Sequence, residues 1–185
     1  MPCLFYFLRY LCESPVYIVS IVKHIIFIRH SGLLEYDIAL MKIKGNIPYL
    51  WRKSIPASLP LSKQVRQWPL GGTKCTFVGW GCTRAGDAVT DIASVAKLKA
   101  LHGRTCDKFF NDVNHGHEFC AGYHKSGLGT CPGDSGSGLV CKHHGSMTVV
   151  GVLSGSDAAQ PQNFPSIYVR VAKFIDWIQM EMKQN

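Results

Sequence analysis

Gly133-Asp134-Ser135-Gly136 is the stretch of this sequence best suited to chemistry. A serine nucleophile needs an exposed hydroxyl on backbone that can approach a substrate carbonyl, and flanking glycines give that freedom. The amides of Gly133 and Ser135 could converge as an oxyanion hole, usually the largest single contribution to acyl transfer. Read alone, the string fits a plain turn better, because Gly, Asp and Ser are common turn residues. A second candidate, His115-x-His117, could hold a metal weakly, but a His-x-His pair in a loop is usually inert. No metal and no cofactor are expected.

The 8 cysteines point to an oxidising compartment. Their spacings contain neither paired C-x-x-C clusters nor a finger pattern, so a disulfide framework fits better than structural zinc. Cys131 precedes Ser135 by 4 residues and Cys141 follows it by 6.

The elements that must position these residues read as β-structure. From Ile21 onward, short apolar segments alternate with Gly, Pro, Ser and Asn clusters, the pattern of a barrel or sandwich. Ile25–Arg29 and Ile38–Ile43 read as strands, the second closed by Gly45-Asn46. Ile47 to Leu70 holds Pro48, Pro56, Pro60 and Pro69 and little periodicity, so it is expected as an extended connector. Lys74–Trp80, Ala93–Lys99, Glu118–Ala121, Gly138–Cys141, Met147–Ser154 and Ser166–Val171 are six further strands, enough for one closed barrel. A short helix is expected near Thr105–Asn111. Val171, Phe174, Ile175, Ile178 and Met182 form one apolar stripe, which predicts an amphipathic C-terminal helix.

With 185 residues, 46% of them hydrophobic and 17% charged, the chain is long enough to bury a core. Lys and Arg number 20 against 12 Asp and Glu, a formal charge of +8 that can steer binding toward heparin-like polyanions. The basic residues are scattered, so a basic soluble surface is favoured over nucleic-acid recognition. Met1 to Leu11 is interrupted by Arg9, and Val16 to Ile28 by Lys23 and His24. Neither stretch makes a clear signal peptide, and neither reaches the roughly 20 apolar residues of a membrane span.

Several independent motifs stand in a telling order. Tyr36-Asp37-Ile38-Ala39-Leu40-Met41-Lys42-Ile43 comes first, then Cys75 with Gly79-Trp80-Gly81, then the Gly-Asp-Ser-Gly string. Val152-Leu153-Ser154-Gly155, Pro165-Ser166-Ile167-Tyr168-Val169-Arg170-Val171 and Trp177 follow. The set resembles the chymotrypsin/trypsin family of serine proteases (peptidase S1) over about residues 21–185. The resemblance implies an all-β, trypsin-like double β-barrel with a complete C-terminal barrel, a partial N-terminal barrel and a C-terminal amphipathic helix. Residues 1–20 would be a non-family segment, 21–46 a remnant of the first barrel, 47–70 the connector, and 71–185 the second barrel and helix.

In that family Ser135 matches the nucleophile and Asp37 the carboxylate that orients the triad histidine. Gly133 and Ser135 match the oxyanion hole, and Asp134 the carboxylate that pairs with a new α-amine after zymogen cleavage. Gly129 falls where trypsin-like members carry a pocket aspartate, with Ser166 on the opposite wall. Ser154 and Ser156 match segments that pair with substrate backbone. A neutral pocket base implies an apolar preference. Cys75–Cys141 and Cys106–Cys120 match family bridges. The usual partner of Cys131 has no counterpart here, so Cys82–Cys131 is expected as a substitute; Cys3 and Cys12 match nothing.

The family's triad histidine lies in an Ala-Ala-His-Cys motif, which does not occur here. His24 and His30 stand too near Asp37 to replace it, and an Ile-Val-Gly-Gly activation segment is also missing. Four expectations follow: a secreted serine endopeptidase by family, protein or peptide substrates, an N-terminally truncated member, and little or no activity in this chain. The alternative is a non-catalytic secreted homologue that acts as a binding protein.

Overall fold

The structure, a computed structural model, describes residues 18–23, 28–30, 33–47, 49, 55–60, 67–83 and 86–184. Four short strands come first: β1 (Ile18–Lys23), β2 (Ile28–His30), β3 (Leu33–Glu35) and β4 (Ala39–Ile43). β1 pairs antiparallel with β4, and β2 with β3. The expected strand Ile25–Arg29 is thus met only at its end, within β2, and residues 25–27 lie outside the described residues. Two strands were expected here and four are found, because exposed β1 and the short β2–β3 pair carry too little alternation to be read locally.

β4 starts at Ala39 rather than Ile38 for a local reason. The Ile38 amide donates to the Tyr36 carbonyl at 2.7 Å, and Tyr36 has φ 56°. That two-residue hydrogen bond makes a tight turn with Asp37 at its apex.

In the connector, Ser58 bridges to Thr148, its amide donating to Met147 O and its carbonyl accepting from Val149 N. The peptide bond Trp68–Pro69 is cis. Beyond it lie β5 (Lys74–Gly79), β6 (Ser94–Lys99), α1 (Gly103–Cys106), β7 (Glu118–Ala121), β8 (Gly138–His143), β9 (Ser146–Gly155), β10 (Ser166–Arg170) and α2 (Ile175–Gln184).

The six later strands form one sheet in the order β6-β5-β8-β9-β10-β7. Its two edges meet where Ala100 bridges Ala121, with Leu101 N donating to Cys120 O and Gly122 N to Lys99 O. The sheet therefore curls back on itself, and the expected six strands each appear within two residues of their expected bounds. The β8–β9 hairpin turns on His144 (φ 45°) and Gly145 (φ 84°), both left-handed, as a two-residue hairpin loop requires.

Alternation along the strands sorts side chains to two faces. Cys75, Phe77, Leu98, Phe119, Leu139, Val150, Leu153 and Tyr168 fill the interior. Val140, Val149, Val152 and Val169 point outward and are covered by Ile38, Leu40, Phe174, Ile175 and Ile178. The middle of the sheet is thus buried on both sides, which is why β8 opens with four buried residues in a row.

Two helical expectations shift. α1 is a single turn that starts at Gly103, because the amides of Thr105 and Cys106 both donate to His102 O. It ends at Cys106 and gives way to turn residues 107–109, short of the expected Asn111. In α2 the apolar stripe is buried through Ile178, whereas Met182 is 37% exposed, since the last turn runs beyond the outer core. Among the described residues, no helix is long and apolar enough to cross a membrane.

Candidate functional site

Asp37 is held from two directions. The flanking Tyr36 packs its ring against His117 (centroids 4.5 Å apart) and Phe174 (6.0 Å), and Ile38 and Leu40 enter the outer core. The half-buried Asp37 then accepts a hydrogen bond at Oδ2 from Ser154 Oγ at 2.9 Å, across 117 residues of sequence. Ser154 stands near the end of β9, so this bond fixes the early segment to the barrel.

The loop from Gly129 to Ser137 is tied to the same strand. Gly136 N donates to Leu153 O, and Leu153 N to Ser137 O, both at 2.9 Å. Asp134 N donates to Cys131 O at 3.0 Å, and Ser137 N to Asp134 O at 2.9 Å. Gly133 (φ 97°) and Gly136 (φ 82°) take left-handed backbone on either side of Asp134 and Ser135, which leaves Ser135 exposed at the tip. At Gly133 a Cβ would also lie 2.4 Å from Val89 Cγ1, so glycine is needed twice over.

Asp134 points the other way, into the protein, and is 5% exposed. Its Oδ1 accepts from Gly81 N at 2.7 Å and its Oδ2 from Cys131 N at 2.9 Å. A Cβ on Gly79 would stand 1.9 Å from Asp134 Oδ1, and one on Gly81 2.4 Å from its Cγ. The Gly79-Trp80-Gly81 motif is therefore the slot in which this carboxylate lies. Burial raises the Asp134 pKa above its ordinary value, and the two backbone amides oppose that rise. Among the described residues no cation pairs with it. The Cys82–Cys131 disulfide closes one side of the slot, with Cys82 N donating to Pro132 O. Cys75–Cys141 and Cys106–Cys120 are bridged as well.

A cavity of about 630 Å³ opens onto Asp134, lined in part by Phe77, Val95, Ala96, Leu128, Gly129 and Pro161. Gly129 lines it because a Cβ there would lie 1.6 Å from Pro161 O: the loop before β10 sits directly on this glycine. The other expected pocket residues make separate contacts. Ser166 Oγ is 2.7 Å from Thr130 Oγ1, both buried, Ser154 is committed to Asp37, and Ser156 is half-buried. Thr130, Pro161 and Val89 therefore shape the loop, although no sequence motif singled them out.

The histidines take other partners. His115 Nε2 meets Asp107 Oδ1, while His117 stands between Tyr36 and Phe174, so the two rings of His-x-His serve different neighbours. His143 packs on Trp68 and on His144. Among the described residues no three metal-ligating side chains come together. His24 lies outside the described residues.

The trypsin family model matches residues 14–178. Transmembrane protease serine 9 of Rattus norvegicus is 29% identical over 152 residues, which is 82% of this chain and 14% of that protein. The chain thus spans about one-seventh of the length of that relative.

Proposed function

We infer function from family and site together: the chain belongs to the trypsin family of serine proteases, and we propose that its site is built for peptide-bond hydrolysis through an acyl-enzyme on Ser135. One observation carries this reading. Ser154 holds Asp37 to the same strand, β9, whose Leu153 anchors the Ser135 loop through Gly136 and Ser137. Orienting carboxylate and exposed hydroxyl are thus positioned by one rigid element, the arrangement that a triad needs.

In this reading Gly133 and Ser135 supply the oxyanion-hole amides, and Asp134 is the switch that shapes them. A desolvated carboxylate facing an open cavity favours the arrival of a cation, and the family's α-amine is the group that would fill that need. The neutral Gly129 under Pro161 favours small apolar side chains over basic ones. Three disulfides and the family favour an extracellular setting and protein or peptide substrates.

The motif that carries the family's general base does not occur in this sequence. No histidine stands in an Ala-Ala-His-Cys motif ahead of Asp37, and no Ile-Val-Gly-Gly segment is present. Loss of one triad member leaves only about 10³- to 10⁴-fold acceleration over water. The chain is therefore expected to turn over peptide bonds at residual rates. The test is hydrolysis of a peptide nitroanilide with a small apolar residue at the cleaved position, against the Ser135→Ala variant. The two should agree within about tenfold; Ser135-dependent turnover at about 1 s⁻¹ or faster, within the ordinary enzyme range, would support Ser135 as the nucleophile and overturn the expectation of residual rates.

A further inference from the structure

The outer face of β5, β6 and β8 carries charge in an unusual order. Lys74 on β5 is paired directly with Lys99 on β6, and Thr76 with Lys97. On the other side of β5, Cys75 is paired with Cys141 of β8, and both sulfurs turn inward to the disulfide. Lys142, the next residue of β8, therefore points outward beside Lys74. Lys99, Lys74 and Lys142 form one transverse row on three adjacent strands, and all three are exposed. With strands about 4.8 Å apart, the row spans about 10 Å, and Lys97 stands about 7 Å along β6. Lys97 Nζ is tethered by its bond to Thr76 Oγ1 at 2.8 Å, so the second row is partly ordered already.

Like charges directly opposite one another destabilise a sheet. Here nothing on the strands relieves them, since β5, β6, β8 and the adjoining β9 contain no aspartate or glutamate. Among the described residues no carboxylate pairs with Lys74, Lys99 or Lys142. These lysines are far apart in sequence, so no basic run announces them; pairing of the strands gathers them.

We propose that this face is a docking surface for a sulfated polysaccharide. Ammonium groups in a transverse row across three adjacent strands suit the repeating sulfates of a linear polyanion, which would offset their mutual repulsion. Three features favour this occupant over other anions. Among the described residues, the outward positions of β5, β6 and β8 carry no aromatic platform on which single-stranded bases would stack. The disulfides indicate an oxidising, extracellular setting, where nucleic acid is not the ordinary polyanion. Anionic lipid is concentrated on the cytoplasmic leaflet, away from such a protein. The surface lies apart from the Ser135 loop, so the inference does not depend on catalysis.

The test measures binding of the intact chain to fluorescent heparin across salt concentrations, with the triple variant Lys74→Ser, Lys99→Ser, Lys142→Ser. The control triple, Lys44→Ser, Lys108→Ser, Lys183→Ser, removes the same net charge from exposed sites elsewhere. The row variant should bind more than about tenfold more weakly at about 0.15 M salt, with a salt slope smaller by about 2 to 3. The control should lose far less. Thermal melting confirms that the variants fold, and should the triple variant unfold, Lys99→Gln alone should lower the slope by about one. Equal losses in both triples would overturn the proposal, as would absence of heparin binding at this salt. Equally tight binding of duplex DNA or of phosphatidylserine vesicles would also overturn it, in favour of a different polyanion.

Discussion

Asp37 and Asp134 are both acids placed by backbone turns, yet their surroundings give them opposite tasks. Asp37 is half-buried and takes a hydroxyl partner, so it can steady a neighbour's charge. Replacing Ser154 with Ala should loosen it and lower stability by about 1 kcal/mol, measurable by urea denaturation. No change would mean that the bond contributes nothing in solution. Asp134 is desolvated, and its folded pKa lies above the ordinary 3.8. For a carboxyl raised on folding, the unfolded chain loses its proton first as pH rises. Its contribution to stability is therefore greatest below the unfolded pKa and falls as pH climbs through the folded one. Measured against Asp134→Asn, the native chain should gain in melting temperature as pH is lowered from about 7 to about 4. A drift in the other direction would show that the two amide bonds outweigh desolvation. The Ser135 tip and the Gly79-Trp80-Gly81 slot were visible as motifs. The seating of Pro161 on Gly129 was not, because a glycine in a loop does not say which backbone covers it.

Strands β5 to β10 were legible because each alternates or is apolar throughout and is bounded by turn residues. β1 and the β2–β3 pair were not, because β1 is largely exposed and β2 and β3 are only three residues long. Arg170 shows how an element can hold a segment that has little structure of its own. Its guanidinium is buried, donates from Nη1 to Gln67 O at 2.7 Å and Pro69 O at 3.3 Å, and from Nη2 to Glu118 O at 3.0 Å. It also lies over the Phe119 ring at 4.9 Å. Burial lowers its pKa to about 10. It fastens the end of the connector to β7 and β10, a role that no spacing in the sequence could reveal. Arg170→Met keeps the volume but strands three carbonyls, so a loss of about 2–4 kcal/mol is expected in denaturant unfolding. A neutral result would mean that water replaces the guanidinium there.

At the scale of the molecule, three disulfides and a curled sheet hold the later barrel, and the outer core fixes the early segment to it. The Cys82–Cys131 bridge links residues 49 apart and joins the Asp134 slot to the Ser135 loop. Removing it with Cys82→Ala and Cys131→Ala should cost about 2–4 kcal/mol in thermal unfolding, with the Ser135 loop more readily cleaved by added protease. Unchanged melting would show that the pair carries no constraint. The most direct test of the site asks whether Ser135 can bear a tetrahedral adduct, independently of turnover. Boron NMR of a peptide boronic acid, bound to the native chain and to Ser135→Ala, answers it. A tetrahedral boron signal should appear with the native chain and be lost in the variant. Boron that stays trigonal with both proteins, or becomes tetrahedral with both, would contradict the assignment of Ser135 as the nucleophile.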